Sequence, residues 1–200
     1  MIEVEKKFQP TEGQIRVFLA DAEFVGKKII EDIYYDLPDF SFFKGGMRLR
    51  KRNGIFELKI EIPNSEKTRA SQREEITDES EILARLGFNG NENLEQIVVQ
   101  KMGIFATIRT TRREYRKGEF IIDIDETDFG YSVCEIELTI EDTAKREEAE
   151  EKIIELARSF GFSSKKLPGK IKEYIRRVKP KLFQELFGEL PKDFKTPKIH

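Results

Sequence analysis

Apolar and polar residues alternate one by one along much of the first 140 positions. The runs fall at residues 2–8, 33–37, 47–52, 55–62, 72–77, 107–116, 120–125 and 132–140. A period of two predicts a strand with one apolar and one polar face, so eight strands are expected. Arg52-Asn53-Gly54 reads as a hairpin turn, because Asn-Gly supplies the positive φ that tight turns need, and Lys117-Gly118 is a weaker turn signal. Other segments carry a helical period. Residues 11–23 open with Thr11 and Gln14 at capping-box spacing, and Ile15, Phe18, Leu19 and Ala22 form an apolar stripe. Further helices are expected at 77–86, 93–102, 143–160, 169–178 and 181–187. Gly87, Gly103 and Gly161 stand as C-terminal stops, and Pro180 divides the last two.

The pattern describes an α+β chain dominated by antiparallel strands, one domain over residues 1–188. A loosely held tail is expected over 189–200, where Pro191 and Pro197 sit among few apolar residues. No internal repeat at a fixed period is visible.

Composition narrows the chemistry. The 200 residues hold 36 Lys plus Arg against 38 Asp plus Glu, a formal net charge of -2. That balance excludes a simple polybasic nucleic-acid binder, and no nucleic-acid partner is expected. The single Cys134 excludes an internal disulfide framework and suits a reducing, cytoplasmic location. With one His, His200, there is no Cys/His zinc site and no internal His-based triad. No apolar run approaches the roughly 20 residues of a membrane span, and the N-terminus lacks the apolar stretch of a signal peptide. Cys134 falls on the apolar side of its strand and reads as a small core residue.

Charge placement on the strands changes the picture further. Side chains two apart share a strand face. Glu3, Glu5 and Lys7 therefore share one face, as do Asp123 with Asp125 and Glu135 with Glu137. A basic row, Arg48, Arg50 and Arg52, lines another strand, followed by Glu57, Lys59 and Glu61, and by Arg73 with Glu75. Arg112 lies on the face opposite to Arg109 and Arg113, which read as surface residues. A half-buried antiparallel strand ordinarily turns its charged face to water. Yet Asp and Glu form strands poorly, and neighbouring like charges repel unless something neutralises them. If the sheet curls with this face inward, acids and cations line a polar lumen, and the aliphatic face packs under the helices. Arg and Lys rows suit a polyanion with several phosphates. Clustered carboxylates without His or Cys suit a hard divalent cation, Mg²⁺ or Mn²⁺. Together they describe metal-assisted phosphoryl transfer, with phosphates held by side chains, since no Gly-rich phosphate loop is present.

These residues resemble a known family. Glu3-Val4-Glu5-Lys6-Lys7 fits E-x-E-x-K, the opening of the CYTH superfamily, the triphosphate tunnel metalloenzymes. Tyr34-Tyr35-Asp36 before Pro38, Leu49-Arg50-Lys51-Arg52, Glu57-Leu58-Lys59, the run Asp123 to Tyr131, and Glu135-Ile136-Glu137 follow in order. Lys170, Tyr174 and Arg176-Arg177-Val178-Lys179-Pro180 complete the likeness, which runs from residue 2 to about 186 and looks nearest to the thiamine triphosphatase branch. The resemblance implies an eight-stranded antiparallel β-barrel, a tunnel with a charged lumen and helices outside. It implies divalent-metal-dependent hydrolysis of a small-molecule triphosphate. Lys7, Arg50, Arg52, Lys59, Arg112 and Lys170 would grip the phosphates. Glu3, Glu5, Glu75, Asp123, Asp125, Glu135 and Glu137 would hold metal and orient water. Lys59 with Tyr34 would handle the proton, the Lys59 ammonium being crowded by Arg50 and Arg52. Vertebrate members of that branch carry a tryptophan just before the L-R-x-R arginines, where this chain has Arg48 and no Trp anywhere. Thiamine triphosphate and inorganic tripolyphosphate both stay open as substrates. Adenylyl cyclase chemistry of the same superfamily and a non-catalytic polyphosphate-binding module are the alternatives.

Overall fold

A computed structural model of the chain describes residues 2–62, 72–163, 165 and 167–188. All eight expected strands form. They are β1 (Ile2–Phe8), β2 (Glu23–Asp36), β3 (Met47–Arg52), β4 (Ile55–Ile62), β5 (Gln72–Ile76), β6 (Gly103–Lys117), β7 (Phe120–Thr127) and β8 (Ser132–Ile140). They make one sheet in the order β1-β8-β7-β6-β2-β3-β4-β5, and the pairs β1–β8, β7–β8, β6–β7, β2–β3, β3–β4 and β4–β5 are antiparallel. The helices are α1 (Glu12–Phe18), α2 (Ser41–Lys44), α3 (Glu79–Arg85), α4 (Leu94–Lys101), α5 (Arg146–Ser159), α6 (Lys170–Val178) and α7 (Pro180–Phe187). The expected tail, 189–200, lies outside the described residues.

Local chemistry explains most boundaries. The β3–β4 hairpin turns on Asn53 and Gly54 at φ 46° and 91°. The Thr11 hydroxyl accepts from the Gln14 backbone N–H, and Gln14 Oε1 accepts from Thr11 N–H at 2.9 Å, which completes the capping box. Three expectations shift. The first helix stops at Phe18 rather than reaching residue 23, because Phe18 is fully buried and closes the apolar stripe. Both β2 and β6 run longer than the alternation indicated. Residues 23–29 are exposed on both faces, apart from half-buried Gly26, so no period of two marks them. Gly103 opens β6 instead of capping α4, whose last residue is followed by an extended Met102.

The short α2 has no period to read. It is organised by Asp36, a buried carboxylate that accepts from the backbone N–H groups of Leu37 (2.8 Å), Phe42 (3.2 Å) and Phe43 (2.8 Å). Burial pushes the Asp36 carboxyl up, and those three bonds and Arg48 work in the other direction.

The chain divides into two compact units, Met1–Ile29 with Thr110–Lys170, and Ile30–Arg109 with Ile171–His200. Each has its own core. In the first, Val4, Phe8, Ile122, Ile124, Ile136 and Leu138 pack with Ala149, Ile153 and Ala157 of α5. In the second, Leu49, Phe56, Leu58 and Ile76 pack with Ile82 and Leu83 of α3 and Leu94, Ile97 and Val98 of α4. Burying each such Leu or Ile side chain contributes about 1.5–3 kcal/mol. These apolar side chains all lie on one parity of their strands. Their packing fixes the register and so assigns the other parity to charge.

Candidate metal and phosphate site

The first unit gathers an acid-rich cluster. The β1–β8 register sets Glu5 opposite Glu137 and Lys7 opposite Glu135. The β7–β8 register sets Asp123 opposite Glu135, and β6–β7 sets Arg112 opposite Asp125 and Glu114 opposite Asp123. Oxygens of Glu5, Glu135 and Glu137 all lie within 4.8 Å of one another. Lys7 bonds Glu5, and its ammonium is 3.2 Å from Glu135 Oε1. Arg112 forks onto Asp125 at 2.7 and 2.8 Å, donates to Glu135 at 2.8 Å, and contacts Asp123. Lys170, at the start of α6, bonds Asp125 and lies 3.9 Å from Glu135. Glu3 is exposed and stands opposite Thr139. It reaches the cluster only through its charge on Glu137.

Electrostatics separates these carboxyls. Burial, then Asp123, Glu5, Glu135 and Glu3, push the Glu137 carboxyl up to about 8. Burial pushes Asp123 up to about 6, helped by Asp125, Glu135 and Glu114 and opposed by Arg112. Burial works to raise Glu135 too, but Lys170, Lys7 and Arg112 outweigh it and hold that carboxyl well below the usual range. Asp123 Oδ1 is buried with no hydrogen-bond partner. Four carboxylates in contact with three cations, with Glu137 beside two of the four, leave negative charge unbalanced. The donor set is all oxygen, and the orphaned Asp123 oxygen and the raised Glu137 carboxyl are what a hard dication would relieve. The residues present therefore fit a divalent metal.

The second unit carries a cation-rich, balanced cluster. Arg50, 4% exposed, donates to Glu57 Oε2 at 2.8 and 2.5 Å and lies 3.7 Å from Asp32. Arg52 forks onto Asp32 at 2.7 and 2.9 Å. Lys59 bonds Glu75. Burial opposes the ionised Glu75 carboxylate, and Lys59, Arg50 and Arg52 outweigh it and lower that carboxyl. Tyr34 pairs in register with Arg50, hydrogen-bonds it, and helps Asp32 and Glu57 raise the guanidinium against burial. Strand β3 lies between the strands of Tyr34 and Lys59, so the expected pair is separated by the Arg50 row. Arg48 stacks on Phe43, 3.4 Å from the ring centroid, and donates to the carbonyls of Phe43 and Met47 at 2.8 and 2.7 Å. The Arg73 side chain lies outside the described residues. Arg109 and Arg113 pair with Glu31 and Glu126 on the other face, as surface residues.

Sequence reading missed Asp32, 2% exposed and the anchor of Arg52. Its signal was present: Asp32, Tyr34 and Asp36 share one parity, visible once the strand is extended upstream. Burial and the neighbouring acids push the Cys134 thiol up, and it packs in the first core rather than acting as a nucleophile. A cavity of about 450 Å³ in the first unit, lined by Ile15, Ile124 and Cys134 among others, includes none of the expected site residues. No helix of the described residues is long and apolar enough to cross a membrane.

Known proteins share this arrangement of sequence and fold. The human thiamine-triphosphatase is 28% identical over 207 residues, covering 93% of this chain and 89% of its own. The solved PH1819 protein from Pyrococcus horikoshii has a TM-score of 0.62 at 22% identity, over 88% of this chain and 99% of that one. HpAC1 from Hippeastrum, an adenylyl cyclase candidate described as having a dominant triphosphatase activity, has a TM-score of 0.57 at 16% identity, over 95% and 97%. The solved structures show a common fold. A family model, the CYTH domain, matches residues 1–168, and the chain belongs to the CYTH family.

Proposed function

We propose that the protein is a divalent-metal-dependent hydrolase that removes the terminal phosphate of thiamine triphosphate or inorganic tripolyphosphate. The observation that carries this is the first-unit cluster, in which acids suited to a metal interleave with Lys7, Arg112 and Lys170. The human relative's name adds a triphosphate substrate. Glu5, Glu135 and Glu137 would hold the cation, Mg²⁺ or Mn²⁺, with Asp123 and Asp125 beside them and Glu3 at the margin, and Glu75 is a further proposed metal acid. The metal supplies Lewis-acid stabilisation of phosphoryl charge.

Everything else falls to the chain's own residues. Lys7, Arg112 and Lys170 bind phosphate oxygens and neutralise charge building on the leaving diphosphate, and Arg50, Arg52 and Lys59 are phosphate ligands by the same chemistry. Lys59 and Tyr34 are proton-handling residues in this reading. Lys59 is hydrogen-bonded to Glu75, which can exchange a proton with it, and Tyr34 to Arg50, whose guanidinium stays protonated and orients the phenol. Arg48, tied to Phe43 and two carbonyls, is a fixed wall rather than a mobile phosphate ligand.

The test is phosphate release from thiamine triphosphate, tripolyphosphate and ATP, side by side, with Mg²⁺, Mn²⁺ or a chelator. Metal-dependent release is expected, and the ranking of the first two names the substrate. Phosphate binding that is equal with and without metal, with no hydrolysis, would make the protein a binding module. Cyclic AMP from ATP would make it a cyclase.

A further inference from the structure

Lys7 does something other than wait for phosphate. Its ammonium bonds Glu5 and lies 3.2 Å from Glu135, so it bridges two of the three carboxylates that converge within 4.8 Å. Its side chain is only 15% exposed and Glu135's is 4% exposed, so solvent screens this bridge little. Arg112 and Lys170 also reach Glu135, but each is anchored mainly on Asp125, outside the trio. Lys7 thus joins two members of the trio. The next residue, Lys6, carries the same charge but points to the opposite face of β1, where it pairs with Glu150 at 2.7 Å.

We infer that Lys7 is the built-in counterion of the acid trio, which a divalent cation must displace. This rests on reading Glu5, Glu135 and Glu137 as the metal-holding carboxylates. In the metal-free protein the ammonium offsets part of their repulsion. A dication that takes their oxygens competes with Lys7 for Glu5 and Glu135, and the ammonium can then turn toward an anion. Metal and triphosphate thereby favour each other, and the coupling is reciprocal. The same lysine serves as competitor of the metal before substrate binds and as ligand of the substrate afterwards. Discrimination follows from charge. A monovalent ion gains nothing over the ammonium that it replaces, whereas a dication adds one unit of charge.

Mn²⁺ titration in the absence of any phosphate, followed by electron paramagnetic resonance of free Mn²⁺, tests this. Lys7→Met should bind Mn²⁺ roughly tenfold more tightly than wild type, the scale of one unit charge removed from a partly buried site. Lys7→Arg, which keeps the charge, should stay near wild type. Lys6→Met, which removes the same charge one residue away on the other face, should also leave the affinity near wild type. Lys7→Gln is a second neutral variant should Lys7→Met fail to fold by circular dichroism. Neutral variants that bind Mn²⁺ no more tightly than wild type would overturn the inference, as would an equal gain from Lys6→Met. Glu5→Gln and Glu137→Gln separate the two claims. If they weaken Mn²⁺ binding, the trio reading stands whatever Lys7 does. If they leave it unchanged, that reading fails and takes the inference with it.

Discussion

The two charged clusters are built on opposite principles. In the second unit each described cation of the row has its own acid: Arg50 with Glu57, Arg52 with Asp32, Lys59 with Glu75. In the first unit three cations share acids between them, Glu135 being reached by all three, and carboxylate is in excess. Breaking a buried pair strands the survivor, and the uncompensated charge costs stability. Surplus like charge also costs stability until a ligand arrives. The first cluster is thus poised to gain a cation, while the second is a charge-balanced row whose ion pairs hold its cations in place.

The sharpest way to break this comparison is to delete one charged group from each cluster. Glu137→Gln should lower metal-dependent turnover by about 10³-fold, the scale for losing a group that acts on transition-state charge. It should leave the metal-free melting temperature unchanged or higher, because it relieves repulsion from Asp123, Glu5 and Glu135. Phosphate release and calorimetry on the same variant check both signs. Arg52→Ala should go the other way in stability. It leaves Asp32, 3% exposed at its side chain, without its fork, and about 3 kcal/mol should be lost in denaturant titration.

A smaller effect sharpens the contrast between charge that binds and charge that builds. Asp36→Ala removes the acceptor of three backbone N–H bonds under α2, and a loss of about 2 kcal/mol by chemical unfolding is expected. Phe43, and with it the stack under Arg48, should loosen, visible as a change in the aromatic circular dichroism signal. The smallest effect is in α6. Burial works against ionised Glu173, but bonds from Arg176 at 2.8 and 2.5 Å and Arg177 at 2.5 Å outweigh it and lower that carboxyl. A carboxyl held below its unfolded value of about 4.3 adds stability above that pH and loses it as pH falls through the folded value. Glu173→Gln should therefore cost about 1 kcal/mol at pH 7, the scale of the charge-assisted hydrogen bonds it weakens, measured by thermal melts across pH, and the difference should shrink as pH falls below about 4.3.

Much of this was legible beforehand. The alternation marked all eight strands, and several bury one apolar parity against helices, as Val4 and Phe8 do in one unit and Leu49 and Leu58 in the other. That same constraint assigned Glu3, Glu5 and Lys7, the paired acids of β7 and β8, and the arginines of β3 to the charged parity. What escaped had no period to betray it. The first half of β2 is exposed on both faces, and the four-residue α2 is held by Asp36.

Sequence by itself determined which residues carry charge to a common strand face, because a strand's side chains alternate whatever the strand pairs with. Only the tertiary structure decided which charges meet. Strand register brought Glu5 to Glu137 and Lys7 to Glu135 across 132 and 128 positions of chain, set Asp32 beneath Arg52, and left Glu3 at the margin. Register is fixed by the packing of the apolar parity on the far side of the sheet, a long-range property that no local run of residues contains.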